Sequence, residues 1–227
     1  MYNKIRWPSV SFVIATRNSE RTLELCLSSI KKQDYPSKME IVIADGGSKD
    51  NTLQIAKKFN AKIINVPEGK QNAEYNKGIA VNNAKNTMLA MIDHDNVLPH
   101  KNWLKNMIRP LVEDEEIFGS GVLRFHYDKN MSFIDRYSAL LGGTDPVPFF
   151  LNKSAHQSYL YDGFHLRGKL LKEERDYYEV RLDSRRLPAL GGNGSILRRK
   201  LLKYAKSSPD YFFHIDIHVD LAKKGYT

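Results

Sequence analysis

The sequence predicts a mixed α/β fold in which a mostly parallel, Rossmann-like central sheet is flanked by helices. Three observations point there. Short apolar, β-branched runs recur through the first half of the chain (VSFVIAT, EIVIA, AKIINV, MLAMI), segments with helical apolar spacing lie between them, and a polar cluster closes each run. Strands and helices alternating at such short intervals imply parallel strands joined by right-handed crossovers.

Residues 10–16 (VSFVIAT), entered after Pro8, are apolar and β-branched enough for a buried strand. Asn18 or Ser19 can then cap a helix in which Leu23, Cys26, Leu27 and Ile30 recur at i, i+3, i+4 and i+7, and which Tyr35-Pro36 stops. Residues 40–44 (EIVIA) form the second strand. It ends at Asp45-Gly46-Gly47-Ser48, where glycine permits a tight turn and Ser48 can cap a helix with Leu53, Ala56 and Phe59 inward. Residues 61–66 (AKIINV) are the third strand, Pro67-Glu68-Gly69-Lys70 the loop beyond it, and 72–84 a third helix. Residues 88–92 (MLAMI) make a fourth strand, too short for a membrane span. Residues 101–114 read as a helix with Trp103 or Leu104, Met107, Ile108 and Leu111 on one face, and residues 119–125 as a further strand. From 126 to about 187 aromatic and basic residues alternate without a period, as in irregular substrate loops, and His126, His156 and His165 read as surface or packing residues.

The chain has 227 residues, 41% hydrophobic and 27% charged, enough for one large domain or two intimate lobes. A single cysteine, Cys26, excludes an intramolecular disulfide, fits a reducing compartment, and reads as a small buried hydrophobe. No charged-then-apolar leader opens the chain and no run reaches the roughly 18 apolar residues of a spanning helix, so the expectation is a soluble protein. The net charge of +9 is unevenly placed: residues 167–206 hold twelve basic side chains against five acidic ones. Such a patch suits nucleic acid, an anionic lipid surface or a phosphorylated substrate, or is simply a solvated face.

The polar clusters Thr16-Arg17-Asn18, Asp45-Gly46-Gly47, Glu68-Gly69-Lys70 and Asp93-His94-Asp95 all fall at the carboxyl ends of strands, where ligands bind in open α/β sheets. If strand geometry persists past Ile92, Asp93 and Asp95 project the same way and His94 opposite. Two like charges so close are relieved most simply by a hard cation with oxygen ligands, although the cluster could equally be a polar turn. Neither G-x-G-x-x-G after the first strand nor G-x-x-x-x-G-K-[ST] occurs, which disfavours a dinucleotide-dependent dehydrogenase and a P-loop enzyme.

The blocks VSFVIATRN, IVIADGGSKDNT, NAEYNKGIAVNNA and MLAMIDHDN, in this order and spacing, resemble those of the family 2 glycosyltransferases of GT-A fold. The resemblance implies an inverting hexosyltransferase with a UDP- or GDP-sugar donor and a Mg²⁺ or Mn²⁺ ion at the Asp-x-Asp motif. Carried over, Ala15, Thr16, Arg17 and Asn18 border the base and ribose, with Asp45 hydrogen-bonding one of them. Asp45 and Ser48 could instead form an Asx turn and helix cap. The family often has a second Asp where Gly46 stands, and Arg where Tyr75 precedes Asn76, which makes Lys70 the candidate for the missing charge. Asp93 would face ribose and metal, Asp95 would be the principal metal ligand, and His94 is the variable middle position.

LGGNGSILRRKLL and HIDIHVDLAKKGY resemble the family's acceptor-side blocks, a Gly-Gly-Asn turn leading into a helix and an acidic motif followed by a helix ending in Gly-Tyr. Gly191, Gly192 and Asn193 would border the donor sugar, and Asp216 matches the family's general base, with Asp220 the competing carboxylate. His214 and His218 flank Asp216, and Ile215 stands where an acidic neighbour is usual. The resemblance also implies that relatives continue past Thr227. The expectation is therefore a donor-binding half at residues 1–125 and an acceptor-binding, catalytic half at 126–227. The expected acceptor is a glycan or a lipid-linked sugar, in a cytoplasmic setting with peripheral contact at the inner face of an anionic membrane and without nucleic acid. The rival readings are a non-catalytic nucleotide-sugar or glycan-binding module and a sugar nucleotidylyltransferase.

Overall fold

The structure is a computed structural model and describes residues 6–143, 145–188, 193–204 and 214–226. Its strands are β1 (Val10–Thr16), β2 (Met39–Asp45), β3 (Lys62–Asn65), β4 (Met88–Met91), β5 (Gly119–Ser120), β6 (Lys169–Glu173), β7 (Tyr178–Arg181) and β8 (Ser195–Arg198). Its helices are α1 (Leu23–Lys31), α2 (Thr52–Lys58), α3 (Ala73–Asn83), α4 (Trp103–Glu113), α5 (Phe133–Leu141), α6 (Pro146–Phe150) and α7 (His214–Lys223), with a 3-10 helix at Arg199–Tyr204. Two compact units result. Met1–Ser120 with Gly192–Phe213 carries the main sheet, and Gly121–Gly191 with His214–Thr227 carries α5, α6, the β6-β7 hairpin and α7.

The main sheet runs β3-β2-β1-β4-β8-β5, with β8 antiparallel to both neighbours and the first four strands parallel. The mixed α/β architecture with a mostly parallel sheet is as the sequence predicts. Phe12, Ile14, Ile43, Leu89 and Met91 of the strands are fully buried, as are Leu23, Leu27 and Ile30 of α1 and Leu104, Ile108 and Leu111 of α4. Burying each such side chain stabilises the fold by roughly 1.5–3 kcal/mol. The strand order reverses at β1, whose neighbours are β2 on one side and β4 on the other. That switch point opens a crevice beyond the strands' carboxyl ends.

Several local expectations are corrected. The strand expected at 119–125 is two residues long, Gly119 and Ser120 pairing with Leu197 and Ile196 of β8. Helix α1 starts at Leu23 after Thr22, since Asn18 is engaged with Ser48 and Lys49 of the loop beyond β2 and the Ser19 N–H donates to Thr52 Oγ1 of α2. Ser48 does not cap α2, where Asp50 Oδ1 accepts from Thr52 N, and the buried face of α2 is Thr52, Ile55 and Ala56. The segment after Gly194 enters strand β8 and then the 3-10 helix, because residues 195–198 fill the slot between β4 and β5. Residues 126–187 are not irregular throughout. Ser132 caps α5 by accepting from Asp135 N, Gly142 ends that helix in the left-handed region at φ 80°, and Asp145 caps α6 by accepting from Val147 N.

Candidate functional site

Register puts the loops beyond β1 and β2 side by side, since Thr16 pairs with Asp45. Thr16 Oγ1 and Ser48 Oγ donate to Asp45 Oδ1 at 3.1 and 2.5 Å, and Gly47 N and Ser48 N donate to Oδ2 at 3.0 and 2.8 Å. A carboxylate has about four acceptor positions, so Asp45, 2% exposed, is fully occupied by its own rim. Asn18, held at φ 51°, clasps the two loops: its N–H donates to Ser48 Oγ at 2.9 Å and its Oδ1 accepts from Lys49 N at 2.8 Å. Thr16 is buried, Ala15 half-buried, and Arg17 and Asn18 open to solvent.

Helix α3 packs against β1 and β2. Asn72 caps it by accepting from Tyr75 N at 2.8 Å. Asn76, 4% exposed, lies against Gly46, where an added Cβ would come within 2.8 Å of Asn76 Nδ2. Asn76 Oδ1 is buried without a hydrogen-bond partner, an unmet acceptor beside the β2 rim loop. The next residue, Lys77, turns toward β4, where its Nζ lies 2.7 Å from Asp93 Oδ1. Lys70, the cation expected at this position, is exposed with its Nζ 6.0 Å from the Tyr75 ring centroid.

Beyond β4, residues 93–96 close into a turn instead of extending the strand, so the strand alternation expected for Asp93 and Asp95 does not operate. Asn96 N donates to Asp93 O at 3.1 Å, and Asp93 N donates to Asn96 Oδ1 at 3.1 Å. Helix α1 holds the turn from one side, through Thr22 Oγ1 at 3.1 Å from His94 Nδ1 and the Cys26 thiol donating to Asp93 O at 3.5 Å. Lys77 holds it from the other. The Cys26 thiol is pushed up to about 12, first by burial and then by the Asp95 and Asp93 carboxylates. The carboxyl of Glu74, near the start of α3, is raised by burial, with Lys77 opposing and Asp93 adding to the rise. Antiparallel pairing sets Ser195 of β8 opposite Met91, and Gly194 N donates to Met91 O at 2.8 Å, so Asn193 adjoins the same rim.

Among the described residues no group of three or more His, Cys, Asp or Glu side chains gathers as a metal cage. Asp95 is exposed, and the hydrogen bond it accepts from Asn96 Nδ2 is long at 3.4 Å. Open oxygens on one such carboxylate fit a hard divalent cation that takes its remaining ligands from phosphates and water. In the second unit Asp216 is exposed in the first turn of α7, and His218 is buried beside Ile217 and Leu221 instead of opening to solvent. Gly191 and Gly192 lie outside the described residues.

The basic segment is divided between the two units, and several of its members serve the fold. Arg198 donates to Ile117 O at 2.8 Å, to Asp114 O at 3.0 Å and to Leu111 O, gathering carbonyls at the end of α4. Arg199 donates to Asn86 O at 2.7 Å, and Lys172 pairs with Glu174 at 2.7 Å. Sequence reasoning missed Lys77, although a signal was available. It lies three and four residues before Ala80 and Val81, on the inner face of α3, where a cation needs a carboxylate partner.

Comparison with known proteins adds to this geometry. The family described as glycosyl transferase family 2 matches residues 11–203. Glycosyltransferase AglE of Haloferax volcanii is 28% identical over 137 residues, 58% of this chain and 45% of that protein. A dolichyl N-acetyl-alpha-D-glucosaminyl phosphate 3-beta-D-2,3-diacetamido-2,3-dideoxy-beta-D-glucuronosyltransferase of Methanococcus voltae is 33% identical over 135 residues, covering 54% of this chain and 41% of that one. The chain thus spans about half the length of these relatives. Among solved structures, mannosyltransferase PcManGT from Pyrobaculum calidifontis, in complex with GDP-Man and Mn²⁺, superposes with a TM-score of 0.61 at 19% identity, covering 97% of this chain and 54% of that one. S. aureus TarS in complex with UDP-GlcNAc gives 0.54 at 18% identity, covering 86% and 46%.

Proposed function

Because the chain belongs to glycosyl transferase family 2, we propose that it moves a sugar from a UDP- or GDP-sugar to an acceptor hydroxyl with inversion. The observation that carries this reading is the rim at the switch point, where the β1 and β2 loops, the first turn of α3, the Asp93-His94-Asp95 turn and Asn193 lie within one unit. The nucleoside packs against Ala15, Thr16, Arg17 and Asn18. Asp45 holds the loop that receives it, and Asn76 Oδ1 is the unmet acceptor beside that loop. Asn193 borders the donor sugar.

Mg²⁺ or Mn²⁺ on Asp95, with Asp93 beside it, supplies positive charge against the departing diphosphate when bound. Asp216 takes the acceptor proton during attack at the anomeric carbon, a role suited to an exposed carboxylate. The acceptor class we propose is an anionic or lipid-linked glycan. The basic excess of residues 167–206 supports it, as do relatives whose names carry phosphate acceptors, the dolichyl phosphate of one and the poly(ribitol-phosphate) of another. Arg181, Arg186 and Lys200 are exposed basic side chains of this segment that could meet such an acceptor or an anionic membrane surface.

The deciding experiment is hydrolysis of a panel of UDP- and GDP-sugars with and without Mn²⁺. Metal-stimulated release of one nucleoside diphosphate supports the proposal. Tight nucleotide binding without turnover of any donor overturns it in favour of a binding module.

A further inference from the structure

We propose that Lys77 is an internal counter-ion that makes cation binding at the Asp93-His94-Asp95 turn depend on the donor's diphosphate, an inference that rests on the nucleotide-sugar reading above. The Lys77 side chain is 6% exposed and its ammonium lies 2.7 Å from Asp93 Oδ1, whose side chain is 33% exposed. Asp93 is the carboxylate in hydrogen-bond contact with this ammonium, and the Glu74 carboxylate also lies within its field. The negative charge of Asp93 is therefore cancelled before any ligand arrives.

Asp95 remains as the exposed anion of the turn. One open carboxylate in a turn whose other carboxylate is already paired with an ammonium is a poor site for a free divalent ion, because hard cations need several oxygens and a fixed positive charge in the same turn opposes them. A donor diphosphate brings both the missing oxygens and the missing negative charge. Lys77 thus acts as a positioning residue: it orients Asp93 and delays the metal until the donor is present.

Binding of Mn²⁺ alone, without nucleotide, tests this in the whole chain by calorimetry or by the electron paramagnetic resonance of the free ion. Lys77→Met should bind Mn²⁺ roughly tenfold more tightly than the unsubstituted protein, since a unit of positive charge near the cation is removed. Lys77→Arg should match the unsubstituted protein. The double variant Lys77→Met/Asp93→Asn replaces a neutral pair by a neutral pair and should lie within about twofold of the unsubstituted protein. Equal or weaker Mn²⁺ binding by a folded Lys77→Met overturns the proposal. If that variant does not fold, a more than tenfold loss in the double variant overturns it equally, because Asp93 would then be a principal cation ligand. Failure of UDP and GDP to tighten Mn²⁺ binding to the unsubstituted protein removes the underlying donor-site reading, whatever the lysine variants do.

Discussion

Replacing Asp45 separates a residue that shapes the rim from one that only touches a ligand. In Asp45→Ala four donors lose their acceptor: the Thr16 and Ser48 hydroxyls and the Gly47 and Ser48 N–H groups. Gly47 is exposed and its N–H rehydrates at little cost, whereas Thr16 is 2% exposed and Ser48 half-buried. Leaving a buried donor without a partner costs about 1–3 kcal/mol, so the expected loss is roughly 2–4 kcal/mol, short of the sum over four bonds. For a chain of this size each kcal/mol lowers Tm by about 2–4 °C, which gives a fall of roughly 5–15 °C. Asp45→Asn should cost only about 1 kcal/mol, because its carbonyl still accepts from the two N–H groups while its amide donates to the two hydroxyls, which can rotate to accept. Thermal and urea unfolding of the two variants measure this directly. An alanine variant within about 0.5 kcal/mol of the unsubstituted protein that nonetheless loses nucleotide affinity would refute the bracing role and leave Asp45 as a ligand contact.

Three further outcomes are expected. Asp95→Ala should abolish the Mn²⁺-dependent part of UDP or GDP binding in calorimetry without lowering Tm, because the side chain is exposed; unchanged metal-dependent affinity would remove Asp95 from the cation site. Asp216→Asn should lower transfer by about 10²–10⁴-fold with donor affinity nearly unchanged, as for a base acting in the transition state, and loss of activity in Asp220→Asn instead would move the base one helical turn on. His156 is 8% exposed with its ring 4.1 Å from that of Phe125 and tilted by 38°, and burial lowers its pKa from 6.5 to about 4. Its stabilising effect is therefore complete above pH 6.5 and lost as pH falls toward 4, by up to roughly 3 kcal/mol. Unfolding followed between pH 7 and 4 should show that slope in the unsubstituted protein and a flatter one in His156→Gln.

The first four strands and α3 were legible because their residues obey simple periods. Residues 10–16 are buried at all but one position, and Asn72 caps the third helix where a polar residue precedes its spaced Ala and Val. The site was legible as a set of loops but less so in its wiring. Asp93 and Asp95 seemed to share a strand face, yet the side-chain acceptor of Asn96 closes a turn that no alternation rule anticipates. The helix-start signal at Asn18 was real hydrogen-bonding capacity spent across loops thirty residues apart, and the Ser48 hydroxyl turns back on Asp45 instead of capping the helix ahead. Helices α5 and α6 escaped notice because their large apolar residues, Phe133, Ile134 and Phe150 among them, face solvent and break the inward pattern that marks a helix. Their caps, Ser132 with Asp135 and Asp145 before Pro146, were nonetheless written in the sequence.

The antiparallel strand β8 has a consequence for how the chain comes off the ribosome. It occupies the place between β4 and β5, yet it is synthesised after a long excursion through another compact unit. Until residues 195–198 emerge, the nascent sheet ends at β4, whose four residues are all buried in the finished protein. An apolar strand with open N–H and C=O groups is a template for pairing with other chains. The late arrival of β8 closes that edge, and the Arg198 guanidinium then fastens it to the end of α4. Premature termination anywhere between β5 and β8 would therefore release a polypeptide with its most adhesive surface exposed.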